Sequence, residues 1–264
     1  MIVRPFETAV EELTLRGTCY LPDAPVGAGA PAAALMHGLG GNRIEGARFF
    51  VSLAQALTAQ GIAVLAWDRA GHGESDGSFF DTTVSRDVRH THLVLDAFAG
   101  LPDIDADDLH LLGLSLGAVE AVAVAASSPR PIRSVTMLST AAVFVDEIAS
   151  GFIQGRPLDT VESLGYFDFL GQRMGPDMIA DARTFDPYTA AAGYAGPTLL
   201  LHGTEDFVPL RYAERYVEVL DRAELEVIPG ADHGWMTVPH RDLVERRTLE
   251  HIQAHARHGS EDHA

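Results

Sequence analysis

The sequence predicts an α/β fold in which a mostly parallel central sheet is flanked by helices. Short apolar runs of strand length alternate with helix-length segments from residue 32 to residue 138, and the alternation returns at residue 197. This alternation is typical of βαβ units. A serine between two glycines follows one of the strands, at the sheet edge where α/β proteins bind ligands. The 264 residues, 47% of them hydrophobic, can bury the core of one large domain or two small ones.

Charge and cysteine content restrict the partners and the location. The 19 basic and 37 acidic residues give a net charge of −18, and such a field repels nucleic-acid phosphates and anionic membranes. No apolar run approaches the roughly 18 residues of a membrane span, and the N-terminus lacks the apolar core of a signal peptide. The single cysteine, Cys19, excludes an intrachain disulfide and is interpreted as a buried thiol. We expect a cytoplasmic protein without nucleic-acid or membrane partners.

The first predicted elements are strands. Residues 6–21 alternate apolar and polar side chains, which predicts an antiparallel strand pair at a sheet edge. Residues 22–31 are rich in Pro, Gly and Ala and are interpreted as a loop. Residues 32–36 form a short apolar strand that runs directly into a glycine-rich stretch, residues 37–42.

This glycine-rich stretch, with the sequence HGLGGN, has two interpretations. It lacks both the spacing and the lysine of a phosphate-binding loop. One interpretation is a bare turn between strand and helix. The other is a loop whose backbone N–H, that of Leu39, turns toward a reacting oxygen, and this depends on a second motif at the same sheet edge.

A helix, a strand and a second helix follow. Residues 49–59 have helical periodicity and stop before Gly61, and residues 62–67 form the next apolar strand. Residues 81–100 form a helix with one apolar face. In the loop between the strand at 62–67 and the helix at 81–100, we favour a structural role for Asp68, Arg69 and His72. Polar groups in tight loops usually satisfy backbone donors and acceptors. His72 as a general base is the alternative.

The next strand and helix hold the serine. Residues 109–112 are predicted as a buried strand and residues 116–126 as a helix. A strand that reverses into a helix needs strained dihedral angles at the turn. Side chains at positions 113 and 117 would collide with that turn, so glycine at both places lets Ser115 sit at its tip with Oγ exposed.

An insertion interrupts the alternation after the sixth strand, residues 134–138. We assign residues 1–140 and 195–264 to the core and residues 141–194 to an inserted cap subdomain. The alternative is a satellite subdomain that only packs its own core. The cap interpretation predicts an apolar substrate pocket, lined by some of Phe144, Phe152, Tyr166, Phe167, Phe169, Met174, Met178, Phe185 and Tyr188.

The C-terminal part restores the alternation. Strands are predicted at residues 197–201 and 223–228, and helices at residues 210–220 and 238–257, followed by a frayed polar tail, residues 258–264.

Two histidines of the last helix raise the question of a metal. His251 and His255 lie four apart and could bind a metal weakly, but no cysteine or carboxylate cluster supports this. We interpret them as a solvated face and predict no metal site.

Three side chains far apart in sequence form a candidate catalytic set. A serine hydroxyl needs a neighbouring base, and His233, in the final loop, is the candidate. A carboxylate must orient the ring, and Asp206 is favoured over Glu205 and Asp232. Glu205 lies one place off the turn, and Asp232 adjoins the histidine and would point away from it. The order Ser115, acid, histidine is that of one triad fold among several.

Together these motifs resemble the α/β-hydrolase superfamily over nearly the whole chain, and most closely the cinnamoyl and feruloyl esterase group. The run of residues 171–175 leading to residues 185–188 resembles that group's inserted cap. Many relatives carry another glycine where this chain has Ala118, whose small side chain still permits close helix packing. The matching segments are HGLGG at 37–41, Asp68 with GHGESDG at 71–77, GLSLG at 113–117, HGTEDFVP at 202–209 and GADH at 230–233.

The resemblance implies an α/β-hydrolase fold and a role for each candidate residue. Ser115 is then the nucleophile, Asp206 the orienting acid and His233 the base. The backbone N–H groups of Leu39 and Leu116 form the oxyanion hole.

The expected activity is hydrolysis of a small or aromatic carboxylic ester through an acyl-enzyme, with a small-molecule ester as partner and no cofactor. Thioesterase, amide hydrolase and acyltransferase activities use the same triad and stay open. A non-catalytic binding protein on the same scaffold is the alternative from another class. The oligomeric state is open, a homodimer included.

Overall fold

The computed structural model describes residues 1–23 and 29–257. Part of the loop predicted at 22–31 and the tail predicted at 258–264 lie outside the described residues. The strands, in chain order, are β1 (Ile2–Val10), β2 (Leu13–Leu21), β3 (Ala30–Met36), β4 (Ala63–Trp67), β5 (Ile104–Leu114), β6 (Ile132–Leu138), β7 (Phe152–Ile153), β8 (Arg156–Pro157), β9 (Phe167–Phe169), β10 (Gln172–Met174), β11 (Thr198–Gly203) and β12 (Ala223–Ile228).

Helices occupy most of the connections between these strands. The helix predicted at 81–100 begins only at Val84, because the Thr83 hydroxyl accepts the Arg86 N–H at 3.1 Å and caps it. In order, the helices are α1 (Phe49–Ala59), α2 (Val84–Ala99), α3 (Leu116–Ser127), α4 (Val143–Ala149), α5 (Thr160–Leu164), α6 (Pro176–Ala182), α7 (Pro187–Ala191), α8 (Arg211–Val219) and α9 (Val238–His255).

Eight strands form one sheet in the order β1-β2-β4-β3-β5-β6-β11-β12. β1 pairs with β2, and β2 with β4, in antiparallel register, and every other neighbour in this sheet is parallel. The central strand β4 is buried at every residue, whereas the edge strand β1 exposes most of its residues. The predicted mostly parallel sheet with an antiparallel pair at its edge is therefore confirmed.

Two hydrophobic cores lie on opposite faces of the sheet. Alternate side chains of β3 enter different cores: Ala32 and Ala34 pack with the α2 and α3 side, and Ala33 and Leu35 with the α1 and α9 side. This follows from the two-residue period of a strand. Cys19 is buried in the first of these cores, as the sequence predicts. Helices therefore cover both faces.

The segment predicted as an inserted cap, residues 141–194 and called the insertion below, holds α4 to α7 and two short hairpins, β7–β8 and β9–β10. Most of its aromatic and methionine side chains pack into the core shared with the sheet, and Phe167 and Met174 are among the most buried of them, whereas Phe152 is exposed. The Phe169 ring stacks on Phe79 with centroids 5.9 Å apart. The Gln172 side chain donates to the Gly40 carbonyl oxygen at 3.1 Å. The insertion is thereby fastened over the glycine-rich loop.

The histidine pair of α9 differs from its prediction. The rings of His251 and His255 are half-buried and lie with centroids 4.8 Å apart, so a fully solvated face is wrong for them. Burial lowers the pKa of His251 to about 4. Across residues 1–23 and 29–257, no group of three or more metal-ligating side chains is placed to hold an ion. Within the same ranges, no helix combines the length and apolar character needed to cross a membrane.

Candidate active site

The carboxyl ends of the parallel strands place the candidate residues at one edge of the sheet. Ser115 follows β5, Asp206 comes shortly after β11, and His233 lies in the loop after β12. Residues 37–42 follow β3 at the same edge. Segments far apart in sequence therefore converge at the position where parallel sheets bind ligands.

Ser115 has a strained backbone. Its φ and ψ are 59° and −120°, a region that side-chain-bearing residues rarely adopt. Its N–H donates to the Leu138 carbonyl oxygen at 2.9 Å, and its own carbonyl oxygen accepts from the N–H groups of Ala118 and Ala141 at 3.1 and 3.2 Å. These three bonds hold the serine at the tip of the turn.

The two flanking glycines are required by close backbone approach. A Cβ at Gly113 would lie 2.0 Å from the Gly117 carbonyl oxygen. A Cβ at Gly117 would lie 2.2 Å from the Met36 carbonyl oxygen of β3. Since both obstacles are backbone atoms, neither can move aside without disturbing the sheet.

We expect Gly117→Ala to lower the free energy of unfolding by about 3 kcal/mol or more, because the added methyl group displaces the end of β3. Chemical denaturation measures the loss. Gly193→Ala is the matched control, because its nearest contact would be 3.4 Å, an ordinary packing distance. Equal stability of the two variants would contradict the steric explanation.

The structure brings Ser115, His233 and Asp206 together. His233 Nε2 lies 2.9 Å from Ser115 Oγ, and His233 Nδ1 lies 2.8 Å from Asp206 Oδ1. A carboxylate can only accept, so Nδ1 carries the hydrogen, and Nε2 is left to accept the serine proton. This is the arrangement that allows a hydroxyl to be deprotonated as it attacks.

Asp206 is buried and stays ionised. Its side chain is fully buried, and Oδ1 also accepts the Val208 N–H at 2.8 Å. Burial alone raises the pKa of the Asp206 carboxyl, but the hydrogen bond and charge of His233 and the Val208 N–H outweigh it and hold the pKa below its usual value. A carboxylate in this state can stabilise an imidazolium.

The two competing acids lie elsewhere. The Glu205 side chain is exposed. Asp232 Oδ1 accepts the Met236 N–H at 2.9 Å and serves its own turn. Of the three acids that the sequence leaves open, the structure places Asp206 alone within hydrogen-bond distance of the His233 ring.

Two backbone N–H groups border the serine. Leu39 and Leu116 both line the cavity at Ser115, and a Cβ at Gly38 would lie 3.3 Å from that of Ser115. In the described part of the chain, neither leucine N–H donates to a protein acceptor. Both N–H groups are therefore candidate donors to an oxygen atom bound beside Ser115.

A cavity of about 260 Å³ opens at Ser115. The insertion supplies part of its wall, including Val143, Phe144 and Phe169, and the core supplies Phe49 and Leu114. The Phe207 ring, which also lines the cavity, packs against His233 with centroids 4.2 Å apart. The walls are mostly apolar, which suits a hydrophobic small molecule.

The loop after β4 supports the glycine-rich stretch. His72 Nδ1 donates to the Ala70 carbonyl oxygen at 3.0 Å, and Nε2 accepts the Gly40 N–H at 3.3 Å. Asp68 accepts from the backbone N–H groups of Arg43 and Glu74 and pairs with the Arg43 guanidinium. Burial lowers the pKa of His72 to about 3. The geometry agrees with structural roles for both residues.

Sequence reasoning did not single out Glu45, which borders the cavity. Its Oε1 accepts the Gly38 N–H at 2.7 Å. Burial raises the pKa of the Glu45 carboxyl, although the N–H groups of Gly38 and Gly46 lower it in part. Nothing local in the sequence marks this residue, because its carboxylate reaches Gly38 only through the fold of the loop.

A second Ser–His–Asp set shows that hydrogen bonds alone do not define a site. His110 Nδ1 lies 2.7 Å from Ser134 Oγ, and His110 Nε2 lies 3.2 Å from Asp108 Oδ1. Ser134 and His110 face each other across the β5–β6 pairing. All three residues are about 1% exposed, so no substrate reaches them.

Comparisons with known proteins give a family match and distant relatives. The sequence model of the alpha/beta hydrolase family matches residues 34–246. The chain is 22% identical over 262 residues to a 2-hydroxy-6-oxononadienedioate/2-hydroxy-6-oxononatrienedioate hydrolase of Paraburkholderia xenovorans (strain LB400), and the match covers 86% of this chain and 88% of that protein.

Two solved structures are similar over nearly their full length. Est1E from Butyrivibrio proteoclasticus with ferulic acid bound has a TM-score of 0.86 and 24% identity, covering 95% of this chain and 98% of that one. The alpha/beta hydrolase GrgF from Penicillium sp. sh18 has a TM-score of 0.77 and 17% identity, covering 97% and 99%. At these identities, the likeness establishes a common fold.

Proposed function

The chain belongs to the alpha/beta hydrolase family, and from that premise we propose that it is a serine hydrolase of small or aromatic carboxylic esters. The observation that carries the proposal is the hydrogen-bonded chain from Asp206 through His233 to Ser115, at the wall of an apolar cavity. A nucleophile, its base and the group that orients the base are the three parts that acyl transfer needs.

In the first step, Ser115 Oγ attacks the ester carbonyl carbon while His233 Nε2 takes its proton. The carbonyl oxygen becomes an oxyanion that accepts from the N–H groups of Leu39 and Leu116. Asp206 stabilises the imidazolium. The tetrahedral intermediate then breaks its bond to the alcohol oxygen, and the alcohol leaves with the proton from His233.

In the second step, water replaces the alcohol. His233 takes a proton from the water as its oxygen attacks the acyl-enzyme carbonyl carbon. The same N–H groups hold the oxyanion. The bond to Ser115 Oγ breaks, the serine recovers a proton from His233, and the carboxylic acid is released. The reaction as written needs no metal or organic cofactor.

The charges around the cavity favour an uncharged ester. Glu45 and Glu147 both line it, and among its described lining residues His233 is the only one with a side chain that can become cationic. The Paraburkholderia relative is named for a dioate, which bears two carboxylates, and a cavity built in this way offers no counter-ion for either. Among the relatives, an aromatic acid such as the ferulic acid of the Est1E structure is the better guide to the acyl group.

We expect methyl 4-methoxycinnamate to be hydrolysed with kcat/KM about 10-fold or more above that of methyl 4-carboxycinnamate, because the added carboxylate meets like charge in a poorly solvated cavity. Steady-state kinetics on the pair measures this. Glu147→Gln should reduce the ratio of the two kcat/KM values, because it removes one of the negative charges that repel the substrate carboxylate. A preference for the carboxylated ester would contradict the proposed substrate class.

A second comparison separates the activities that share this triad. The 4-methoxycinnamoyl group is presented as an ester, a thioester and an amide. We propose the ester as the preferred substrate by kcat/KM. A large preference for the thioester would reassign the enzyme as a thioesterase.

A further inference from the structure

The Gly38–Leu39 peptide unit is held at its carbonyl end by three donors. The Gly38 carbonyl oxygen accepts from Arg69 Nη2 at 2.8 Å and from the Gly41 N–H at 3.1 Å. The third donor is His37 Nδ1, at 2.8 Å. That nitrogen carries the hydrogen because His37 Nε2 accepts the Arg69 N–H at 3.1 Å. Three donors on one oxygen atom restrain the orientation of this peptide unit.

Fixing this carbonyl fixes the neighbouring N–H. In a planar trans peptide, the C=O and the N–H point in opposite directions. The N–H of this unit is that of Leu39, which borders Ser115. The three donors to the Gly38 carbonyl oxygen therefore fix the direction of the Leu39 N–H from the opposite side of the peptide unit.

Arg69 is itself tied to the helix that follows Ser115. Its guanidinium is 2% exposed, and Nη1 donates to both Glu120 oxygens at 2.7 and 2.6 Å. Asp87 of α2 lies 3.3 Å from the same nitrogen. Glu120 belongs to α3, whose first residue is Leu116. One buried cation thereby links the two segments that carry the proposed oxyanion donors.

The charge also acts on the peptide electronically. A cation at the carbonyl oxygen polarises the peptide so that its N–H becomes a stronger donor, and this effect is large where the dielectric constant is low. Burial raises the pKa of both Glu120 and Asp87. The Arg69 guanidinium acts in the opposite direction but does not outweigh burial. The Gly38 carbonyl oxygen therefore lies against the cationic end of a buried ion pair.

We propose that Arg69 is a positioning residue that orients and polarises the Leu39 N–H through the Gly38 carbonyl, with Glu120 and Asp87 holding the guanidinium in place. The inference rests on the proposed function of Ser115. It assigns Arg69 an effect on the oxyanion, beyond support of its own loop.

The test is the double variant Arg69→Met/Glu120→Gln, which removes the cation and its main partner together. Asp87 then loses the cation that lowers its pKa, and since burial raises that pKa, the Asp87 carboxyl is expected to be neutral in the variant. Such replacements of buried ion pairs are often tolerated. We expect kcat for methyl 4-methoxycinnamate to fall about 10²-fold, as for loss of one oxyanion donor, with KM within about threefold of its original value.

A spectroscopic readout separates positioning from general structural support. The carbonyl stretch of the acyl-enzyme, formed with a carbonyl-¹³C-labelled 4-methoxycinnamoyl group, should move to higher frequency in the double variant because its oxygen is less polarised. Arg43→Met is the control. It removes the cation that pairs with Asp68 and Glu74 in the same region, and the stretch should stay unchanged.

The outcomes are distinguishable. An acyl-enzyme in the unmodified protein, together with an unchanged stretch and kcat in a folded double variant, overturns the inference and leaves the proposed function standing. Absence of any acyl-enzyme in the unmodified protein overturns both. If the double variant does not fold, Arg69→Lys replaces it, because lysine keeps the buried charge but loses the planar fork of donors that joins the Gly38 carbonyl to Glu120. We then expect kcat to fall about 10-fold with a stretch shifted in the same direction, and no shift would again overturn the inference.

Discussion

Ser115→Ala is expected to lower kcat/KM for ester hydrolysis by about 10⁶-fold, the loss typical of removing a triad nucleophile. The hydroxyl that lies 2.9 Å from His233 Nε2 is absent from the variant, so no acyl-enzyme forms. Stability should change little, and the backbone strain at this position is kept. Steady-state kinetics and thermal unfolding measure the two effects.

Ser134→Ala is the matched control, because Ser134 also bonds a histidine that bonds an aspartate. Its burial keeps it from substrate, so the variant should retain activity despite a loss of about 1–3 kcal/mol from the unpaired His110 nitrogen. A fluorophosphonate should label the unmodified protein and Ser134→Ala at Ser115, and should not label Ser115→Ala. Failure to label the folded, unmodified protein would favour a binding protein on this scaffold.

Local stereochemistry explains why the position of the serine could be predicted. The need for glycine at 113 and 117 depends on the turn itself. Strand β12 and helix α1 follow from short-range patterns, and their predicted bounds, 223–228 and 49–59, match the structure. A strand of period two or a helix with one apolar face is readable without knowing its neighbours.

The features that depend on distant contacts could not be predicted. Glu120 stands in a run of alanines and valines, which signals a carboxyl group that must find a buried partner, but the partner, Arg69, lies far away in sequence. The same holds for the half-buried ring of His251. Such pairings follow from the packing of helices on the sheet.

The choice of acid illustrates the boundary between the two cases. Sequence spacing leaves Glu205, Asp206 and Asp232 as candidates. The turn after β11 decides among them, because the Val208 N–H binds Asp206 Oδ1 and aims the same oxygen at His233. The bond from Val208 to Asp206 is local to this turn. The bond from His233 to Asp206 forms only because the fold places the loop after β12 beside the turn.

Asp206→Ala is expected to lower kcat by about 10⁴-fold, since the imidazolium loses its counter-ion and the ring loses its orienting partner. Asp206→Asn should lose less. Oδ1 accepts both the His233 and the Val208 hydrogens, and the Ser139 hydroxyl is a further neighbour that lowers the pKa of this carboxyl. An amide that keeps its oxygen at the Oδ1 position preserves both bonds and removes only the charge.

The difference between these two variants therefore separates the charge of Asp206 from its geometry. In the reverse amide orientation, the asparagine NH₂ group would face the Val208 N–H, and two donors would meet. The asparagine oxygen should therefore stay at the Oδ1 position, where it still accepts from His233 Nδ1 and keeps the same His233 tautomer. Steady-state kcat on methyl 4-methoxycinnamate gives the comparison, and Glu205→Gln, an exposed neighbour, should stay within about threefold of the unmodified protein. If asparagine cost as much as alanine, the charge would account for the whole effect and the shared Oδ1 would contribute nothing. If Glu205→Gln showed the larger loss, the acid would have been assigned to the wrong side chain.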